Sequence, residues 1–494
     1  MKSTRVQKDV VVIGGGGAGL AALKAMLKEG YKEICLLDKN SDIGGVWLTT
    51  QYPGLRIHTA AWAYRYFDFY APKSESVHAT REEIHRYFYE YAQSHRLYDY
   101  MQFNTIVSRI IYKKMSADKK CEVRAVNTLT QEEIIIECDY VICALGFTHA
   151  GNPNLPHFPG EEDFKGVIAH SSQFNQEMFN DIVENKKRVV VLGAGKSGQD
   201  ILWSLKNYNL NNITWLYKKS LWSRAFESYF VKKKSDNFFI NNYLVIVMLL
   251  RAKLKKFNWL MRMLELPIIW RGLFINPIET KSDIFNSRYA ILTRDQFEFL
   301  KSPSFKKING QIKSLQDNKI TLVNNETIDT DYLICATGYD RTGNIPEIII
   351  MDENNNMTIY DPSMQYSFFR HMIDPSIPNI SLFTADGLFP SQIFGFSIAA
   401  EWLARFYKNK LIKKYSSEDM QKELDSYKKR HPSWLTERNA VPYFFNYDLP
   451  VFMNVLSDLG FSKLFALKIL TDYRYGEKYF NEMCQKLVDG LEDR

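Results

Sequence analysis

The chain has few cysteines, and their spacing gives them no obvious chemical role. None of its six cysteines forms a C-x-x-C pair. A redox-active pair is needed for thiol–disulfide exchange, so this spacing argues against a disulfide reductase. Several of the cysteines fall in predicted strands, which favours buried thiols in a cytosolic protein over a disulfide framework.

Long apolar runs and basic tracts are also lacking. No run approaches the ~20 residues of a membrane-spanning helix. The net charge of +7 is spread without a polybasic tract, so we expect no nucleic-acid partner. We also expect no metal site. A mildly basic chain of 494 residues suits anionic dinucleotides or an anionic membrane surface, and its length allows two or three domains.

The N-terminus combines basic residues with an apolar run, as a secretory signal would. We favour a strand, a glycine turn and a helix, because the same pattern recurs inside the chain. The strand Val10–Ile13 leads into a G-x-G-x-x-G turn, and a second predicted strand ends at Asp38. The first glycine makes the turn, the second admits a pyrophosphate and the third lets the helix pack closely. The helix N-terminus binds phosphates and the acid accepts from ribose hydroxyls, so the pattern predicts a dinucleotide site rather than an ordinary turn. The glycines are Gly14, Gly16 and Gly19.

A second copy of this pattern follows the predicted strand Arg188–Leu192. The next predicted strand, Ile213–Tyr217, is followed by Lys218 and Lys219 where an acid would favour NAD. Two lysines favour the 2′-phosphate of NADPH; ordinary solvated loop charges are the alternative. Two dinucleotide sites imply electron transfer between two cofactors. The glycines of the second copy are Gly193, Gly195 and Gly198.

Between and after the glycine motifs lie three further segments. FKGVIAHSSQF matches the fingerprint F-x-G-x-x-x-H-x-x-x-aromatic, CALGF and PNLPHFPG precede it, and CATGYD comes late in the chain. With these motifs most of the chain resembles the class B flavin-dependent monooxygenases, which include flavin-containing monooxygenases, N-hydroxylases and Baeyer–Villiger monooxygenases. The fingerprint residues are Phe164, Gly166, His170 and Phe174. The resemblance places His170 near the domain hinge; a satisfied structural histidine is the alternative.

The resemblance implies an α/β fold with two Rossmann-like dinucleotide-binding domains, in which the NADPH domain is inserted into a discontinuous FAD domain. We predict an FAD domain over 1–170 and 329–415, an NADPH domain over 171–328, and a C-terminal helical subdomain over 416–494. It also implies FAD and NADPH as cofactors. The expected cofactor-binding residues are Gly14, Gly16, Ala18, Gly19, Asp38, Lys39, Gly45, Val46, Trp47, His58, Thr59, Val107, Gly193, Gly195, Lys196, Ser197, Gly198, Lys218, Lys219, Thr337, Gly338 and Gln392.

The stretch GGVWLTTQYPGLRIH fits the Baeyer–Villiger pattern [AG]-G-x-W-x-x-x-x-[FY]-P-[GM]-x-x-x-D until its last position, which is His58. In that family the Asp works with an Arg to favour a deprotonated, nucleophilic peroxide, whereas flavin-containing monooxygenases commonly carry Asn near this position. We hypothesise that His58 acts as Asn would, with an added pH dependence. The alternative is a histidine that packs or caps a loop. Arg288 is the candidate for the arginine, with Arg294 as its competitor; either could be a surface charge.

Residues 221–280 form an apolar insertion with interleaved Arg and Lys, which reads as amphipathic helices. It could pack in the core, line a substrate tunnel, or dock on a membrane through 238–275. We expect a cytoplasmic protein, which could also contact the inner face of the membrane peripherally. Gln392 could approach the flavin, or its loop could simply cap a helix.

The resemblance implies monooxygenation of an apolar small molecule by O2 through a C4a-(hydro)peroxyflavin. Because the Asp is missing, we favour N- or S-oxygenation. Baeyer–Villiger oxidation of a ketone is the alternative. A hypothesis from a different functional class is an NADPH oxidase or redox regulator that has no organic substrate.

Overall fold

A computed structural model describes residues 3–146, 153–218, 222–225, 289–339, 345–360, 368–383, 391–430 and 448–493. Lys219, Arg288 and the proposed membrane segment 238–275 lie outside these ranges, as does the insertion 221–280 apart from one short strand at 222–225. The predictions on those residues therefore stay predictions.

The larger sheet is built around β1, whose apolar residues Val10–Ile13 are buried. Strand β1 pairs in parallel with β2 on one side and with β6 on the other. The strand order is β18-β17-β4-β5-β6-β1-β2-β3, with β19 beside β6. The strands are β1 (Ser3–Ile13), β2 (Ile34–Leu37), β3 (Met101–Gln102), β4 (Thr105–Lys113), β5 (Cys121–Asn127), β6 (Glu133–Cys143), β17 (Glu347–Met351), β18 (Met357–Tyr360) and β19 (Ile380–Ser381).

The smaller sheet is parallel throughout, in the order β12-β9-β8-β16-β7. A three-stranded antiparallel sheet, β13-β14-β15, and a parallel pair, β10-β11, accompany it. The strands are β7 (Val167–His170), β8 (Val189–Leu192), β9 (Ile213–Tyr217), β10 (Trp222–Ala225), β11 (Tyr289–Leu292), β12 (Lys306–Asn309), β13 (Ile312–Gln316), β14 (Lys319–Leu322), β15 (Thr327–Asp329) and β16 (Tyr332–Cys335).

Helices cover the sheets. Helix α1, which follows the first glycine turn, is buried along most of its length against α7. The helices are α1 (Gly17–Lys28), α2 (Val46–Thr49), α3 (Arg81–Ser94), α4 (Gln176–Glu184), α5 (Lys196–Ser204), α6 (Arg294–Lys301), α7 (Gln392–Tyr407), α8 (Ser417–Arg430), α9 (Asp448–Asp458), α10 (Lys463–Tyr475) and α11 (Glu477–Glu492).

The order of strands along the chain confirms the predicted fold class. The larger sheet takes its strands from both ends of the chain, and the smaller sheet takes all of its strands from the part between them. One dinucleotide-type domain is therefore inserted into another. The domain boundaries stay a prediction. Strands β7 and β16 fall on the FAD side of the predicted boundaries, yet both belong to the smaller sheet, because β16 pairs with both β7 and β8.

The C-terminal helices α9 to α11 pack onto the larger domain and share its hydrophobic core. A buried cluster ties the two together. Arg370 donates from Nε to Asp458 at 2.8 Å, and Tyr415 and Trp402 donate to the same carboxylate at 2.6 and 3.0 Å. On α11, the Phe480 ring lies 5.6 Å from Trp62.

The six cysteines are all buried free thiols, which confirms that prediction. Within the ranges described above, no helix has both the length and the apolar character that crossing a membrane requires.

Candidate active site

The first glycine turn joins β1 to α1. Gly14 has a φ of +107°, and a Cβ there would lie 2.5 Å from the carbonyl oxygen of Ala144 at the end of β6. A Cβ on Gly19 would overlap the carbonyl oxygen of Gly14. The protein itself therefore requires both glycines, one for the turn and one for the close approach of helix and strand.

The second glycine of this motif has a different environment. Gly16 is the N-cap of α1 and has an ordinary φ of −79°, and no side chain caps the helix. The nearest atom to a Cβ at Gly16 would be the Cα of Gly45, at 3.7 Å. Packing does not require a glycine here, so the bare backbone suits the approach of a phosphate to the free N–H groups of α1. Ala18 is buried in the first turn of the helix.

Asp38 lies at the carboxyl end of β2 and is buried. Its Oδ2 accepts from the N–H of Gly15, and its Oδ1 accepts from the N–H of Asn40 at 2.7 Å. Burial raises the pKa of Asp38, and these two N–H groups oppose the shift. The carboxylate thus holds the glycine turn and keeps further lone pairs for a ribose.

Two other predicted residues lie near Asp38. Lys39 follows it and is exposed. The N–H of Thr105 donates to the carbonyl oxygen of Asp38 at 2.8 Å, which brings the start of β4, with half-buried Val107, to this end of the sheet. Lys39 and Val107 therefore both lie near the end of the sheet that carries the first glycine turn.

The loop that carries Gly45, Val46 and Trp47 lies against the first turn. The N–H of Gly44 donates to the carbonyl oxygen of Gly15 at 3.0 Å. Gly45 has a φ of +55°, and a Cβ there would be 3.2 Å from the Cα of Gly16. Val46 packs against the core, and the indole N–H of Trp47 donates to the hydroxyl of Tyr64 at 2.9 Å. The loop is thus fixed on both sides.

Helix α3 also fixes this loop, a feature that sequence reasoning missed. His85 donates from Nε2 to the carbonyl oxygen of Ile43 at 3.1 Å, and Arg81 donates to that of Leu48 at 3.3 Å. The residues are distant in the sequence, so no local spacing could have indicated them.

Helix α7 begins beside α1. A Cβ on Gly17 would be 2.5 Å from Cδ1 of Ile393, so Gln392, at the first helical position and exposed, lies next to the first turn. The hydroxyl oxygens of Ser391, the N-cap of α7, and of Thr59 are buried and have no hydrogen-bond partner among the described residues. Buried hydroxyls usually have partners, so these two suit contact with a polar cofactor.

The second glycine turn joins β8 to α5 and repeats the geometry of the first. Gly193 has a φ of +120°, and a Cβ there would overlap the carbonyl oxygen of Ala336. A Cβ on Gly198 would lie 2.5 Å from the carbonyl oxygen of Gly193. In the part of the chain that the structure describes, no atom lies within 4 Å of a Cβ at Gly195, the N-cap of α5, and the helix begins with Lys196 and Ser197.

The cationic candidates of the second site are only partly described. Lys218 is exposed directly after β9, whereas Lys219 and Arg288 lie outside the described residues. Arg294, the competitor of Arg288, is exposed in the first turn of α6. The preference for a 2′-phosphate and the choice between the two arginines stay predictions.

The loop after Trp47 crosses from the first turn to the second. Tyr52 is buried and donates from its hydroxyl to Oδ2 of Asp200, on α5, at 3.1 Å. The other oxygen of Asp200 accepts from the ammonium group of Lys196. Tyr52 and Asp200 were not among the predicted site residues, although Tyr52 belongs to the Gly44–His58 motif.

His58 follows this crossing. Its side chain is exposed, yet it is surrounded by enough protein that burial lowers its pKa, and the positive charges of Lys196 and His78 act in the same direction. His78 donates to the carbonyl oxygen of Thr59 at 3.1 Å and so fixes the adjacent backbone. The lowered pKa opposes the pH dependence near neutrality that we predicted from the residue type, because cationic neighbours disfavour imidazolium.

The fingerprint residues lie along β7 and its flanks. A Cβ on Gly166 would be 2.7 Å from the carbonyl oxygen of Asp331, and Phe164 and Phe174 pack in hydrophobic clusters of the smaller domain. His170 is fully buried, and its Nδ1 accepts the N–H of Ser172 at 3.2 Å. The segment is therefore well packed around its histidine.

The A-T-G-Y element meets the fingerprint at the domain junction. The Tyr339 ring lies edge-on to His170, with centroids 5.0 Å apart. Thr337 donates from its hydroxyl to the carbonyl oxygen of Asn154, and the N–H of Asn154 donates to that of Gly338 at 2.9 Å. These contacts join the two crossings between the domains.

Comparison with known proteins agrees with this geometry. The model of the flavin-binding monooxygenase-like family matches residues 7–260, more than half of the chain, and the protein belongs to this family. The chain is 25% identical over 413 residues to cyclohexanone 1,2-monooxygenase of an Acinetobacter species, covering 71% of this chain and 73% of that protein. It is 25% identical over 457 residues to flavin-containing monooxygenase 1 of Homo sapiens, covering 86% and 78%.

Solved structures show the same fold. Cyclohexanone monooxygenase from Rhodococcus sp. Phi1, bound to NADP+, superposes with a TM-score of 0.65 at 16% identity over 99% of this chain and 98% of that one. A steroid monooxygenase bound to NADP gives a TM-score of 0.65 at 17% identity over 98% of each chain. The predicted resemblance is thus confirmed, and the protein is an enzyme of the flavin monooxygenase type.

Proposed function

We propose that the protein is an FAD- and NADPH-dependent monooxygenase that transfers one oxygen atom from O2 to the nitrogen or sulfur of an apolar small molecule. The observation that carries this proposal is the segment Gly44–His58, which contacts the first glycine turn through Gly45 and the helix of the second through Tyr52. A single loop thereby adjoins both dinucleotide sites, as transfer between two cofactors requires.

The first turn is assigned to FAD. The N-terminus of α1 would hold the pyrophosphate beside Gly16 and Gly45, and Asp38 would accept from the ribose. Thr59 and Ser391, with their unpartnered hydroxyls, fit polar groups of the same cofactor. When bound, FAD supplies the acceptance of hydride and the activation of O2, chemistry that no protein side chain provides.

The second turn is assigned to NADPH. The N-terminus of α5, with Gly195 as its N-cap, would hold the pyrophosphate. Lys218, exposed directly after β9, would recognise the 2′-phosphate. The fingerprint and Tyr339 hold the junction between the domains, which sets the distance between the two sites.

His58 is assigned the position that Asn commonly takes in flavin-containing monooxygenases. With its pKa lowered, the imidazole is neutral at physiological pH, so it donates one hydrogen bond and accepts another. It can hold a proton toward the reacting oxygen but carries no negative charge that would favour a deprotonated, nucleophilic oxidant. This difference supports oxygenation of nitrogen or sulfur.

Baeyer–Villiger oxidation of a ketone is the second candidate. The chain keeps Gly44, Gly45, Trp47, Tyr52, Pro53 and Gly54 of that pattern. It is also similar to a cyclohexanone 1,2-monooxygenase over 71% of its length. The missing acid at position 58 weighs against this candidate.

The test begins with the purified chain reconstituted with FAD. Anaerobic addition of NADPH should bleach the flavin absorbance, and failure to bind FAD or to bleach would contradict the proposal. In air, matched thioether, tertiary amine and ketone substrates of similar size are compared for stimulated NADPH use and for product. Sulfoxide or N-oxide supports the proposal, an ester supports the alternative, and peroxide alone with every substrate indicates an oxidase.

A further inference from the structure

The side chain of Tyr52 is buried in a domain other than the one that carries its loop. The loop begins against the first glycine turn, but Tyr52 belongs to the hydrophobic cluster of the smaller domain. Leu55 packs against the clusters of both domains, and a Cβ on Gly54 would be 3.7 Å from Cβ of Ser204 on α5. Residues 52–55 are therefore where the larger domain docks onto α5.

Asp200 receives this contact one turn into α5. Its carboxylate is 6% exposed and accepts from both Tyr52 and Lys196. A buried carboxylate depends on such partners because water is not available to replace them. If the loop left α5, the carboxylate would lose one of its partners. The relative position of loop and helix is thus coupled to the hydrogen bonding of a buried charge.

Tyr52 can serve only as a protonated donor at this position. Burial and the neighbouring charge of Asp200 raise its pKa well above the usual range. The phenol therefore donates to Asp200, one turn from the end of α5 that we assign to the pyrophosphate of NADPH.

Each end of this connection lies at a different cofactor site. On one side, Gly45 of the same loop lies against Gly16. On the other, Asp200 holds Lys196 at the N-terminus of α5. A ligand that orders either end favours the arrangement in which the hydrogen bond is made, and such coupling between two sites is reciprocal.

We propose that Tyr52 and Asp200 are positioning residues whose hydrogen bond couples the two dinucleotide sites, so that NADP+ bound at the second turn strengthens the binding of FAD at the first, and the reverse. The inference rests on the proposed function, because it takes the two turns as the FAD and NADPH sites. It adds that each cofactor regulates the affinity for the other.

The chain offers a matched control in Tyr332. Its hydroxyl donates to Oδ2 of Asp181 at 2.6 Å, and its ring lies in the same hydrophobic cluster as that of Tyr52. Both partners of this bond belong to the smaller domain. Tyr332→Phe therefore removes a similar phenol–carboxylate bond without touching the connection between the domains.

The experiment measures the dissociation constant of FAD with and without saturating NADP+, by flavin fluorescence on the full-length chain without turnover. In the wild type we expect NADP+ to tighten FAD about tenfold, within the usual range of coupling between sites. In Tyr52→Phe and Asp200→Asn the ratio should fall to about one, and the double variant should show no further loss. Tyr332→Phe should keep the wild-type ratio.

Several results would overturn the coupling. A wild-type ratio of one would do so while leaving the proposed function intact. The ratio of FAD dissociation constants could also stay unchanged in Tyr52→Phe, or fall equally in Tyr332→Phe. Either result would show that the bond between Tyr52 and Asp200 contributes only to packing. If the wild type binds no FAD, both proposals fail together. Because Tyr52→Phe keeps the ring and removes one oxygen atom, it tests the coupling even if Asp200→Asn does not fold.

Discussion

The two glycine turns obey the same steric rule and differ in what surrounds them. In each, the first glycine has a positive φ and lies against a carbonyl oxygen of a neighbouring strand end, and the third faces the carbonyl oxygen of the first. The middle glycines differ, because Gly16 faces the Gly45 loop whereas no described residue lies close to Gly195. A turn covered by a second loop can retain a ligand through many turnovers, and an open turn can exchange one. The difference matches a resident flavin and a dissociable nicotinamide.

The largest effect that would separate the two turns is expected at their third glycines. The methyl group of Gly19→Ala would overlap the carbonyl oxygen of Gly14. This overlap is more severe than that of the Gly198→Ala methyl group with the carbonyl oxygen of Gly193. Overpacking of this kind costs about 3 kcal/mol. We expect Gly19→Ala to unfold the larger domain or abolish FAD retention, and Gly198→Ala to keep FAD and weaken NADP+. Urea unfolding and flavin content after gel filtration measure both, and equal FAD loss would contradict the comparison.

The middle glycine of the open turn gives the next effect. Gly195→Ala meets no protein atom, and φ is −70° there, so the folded chain accepts it at a cost below about 1 kcal/mol. A methyl group should, however, block the pyrophosphate and weaken NADP+ about 100-fold, or about 2.8 kcal/mol. Titration of the FAD-loaded protein with NADP+ tests this. Unchanged affinity would show that the dinucleotide does not approach Gly195.

His58 lies between the turns and should affect coupling of NADPH use to product rather than either binding step. His58→Ala should lower product per NADPH by up to about tenfold, the effect of one lost hydrogen bond, with hydrogen peroxide replacing product. His58→Asn should keep most of the coupling. The pKa of His58 is lowered, so the imidazole stays neutral and coupling should not change from pH 6 to 8. Equal coupling in all three proteins would remove His58 from the mechanism.

The smallest expected effect is a difference between the two domains in how their stability changes in acid. Arg188 donates to both oxygens of Asp331 at 2.8 and 3.1 Å, which lowers the pKa of Asp331 to about 2. A depressed carboxyl pKa gives stability that is present above its unfolded value of about 3.9 and lost as pH falls from there toward 2. Burial instead raises the pKa of Asp38, so this carboxyl group does not give the first turn any stabilisation of that kind.

Asp331→Asn tests this contrast. We expect it to destabilise the smaller domain at pH 7 by about 1 kcal/mol, because the pair is partly screened by solvent. It should also reduce the loss of stability between pH 4 and 2. Calorimetry across that range gives the measurement, and an acid response identical to the wild type would contradict the assignment.

Local spacing was enough to predict the two glycine turns and the four strands beside them, whereas the fold class was predicted from the family resemblance. Gly19 and Gly198 are required by contacts within their own turns, and such local requirements leave a readable pattern. Gly14 and Gly193 keep the same spacing, although the carbonyl oxygens they face, those of Ala144 and Ala336, are distant in the sequence. The contact of Tyr52 with Asp200 joins residues 148 positions apart, and Arg81 and His85 reach the Gly44–Trp47 loop from another helix. These pairs have no period or spacing of their own, so only the folded chain brings them together.

The protonation state of His58 is a second property that local sequence could not predict. Its residue type predicted titration near neutrality, but burial, and after it the charge of Lys196 in the other domain, lowers the pKa. The chemistry of this residue therefore depends on surroundings that its local sequence does not show.

The last helix has a consequence for the site. Phe480 on α11 packs against Trp62, and Arg65 donates to Asn481 at 2.8 Å, so the first turns of α11 support the segment that follows His58 and Thr59. Arg65 and Asn481 are 416 residues apart. The segment beside His58 can therefore reach its final shape only after α11 has docked on it.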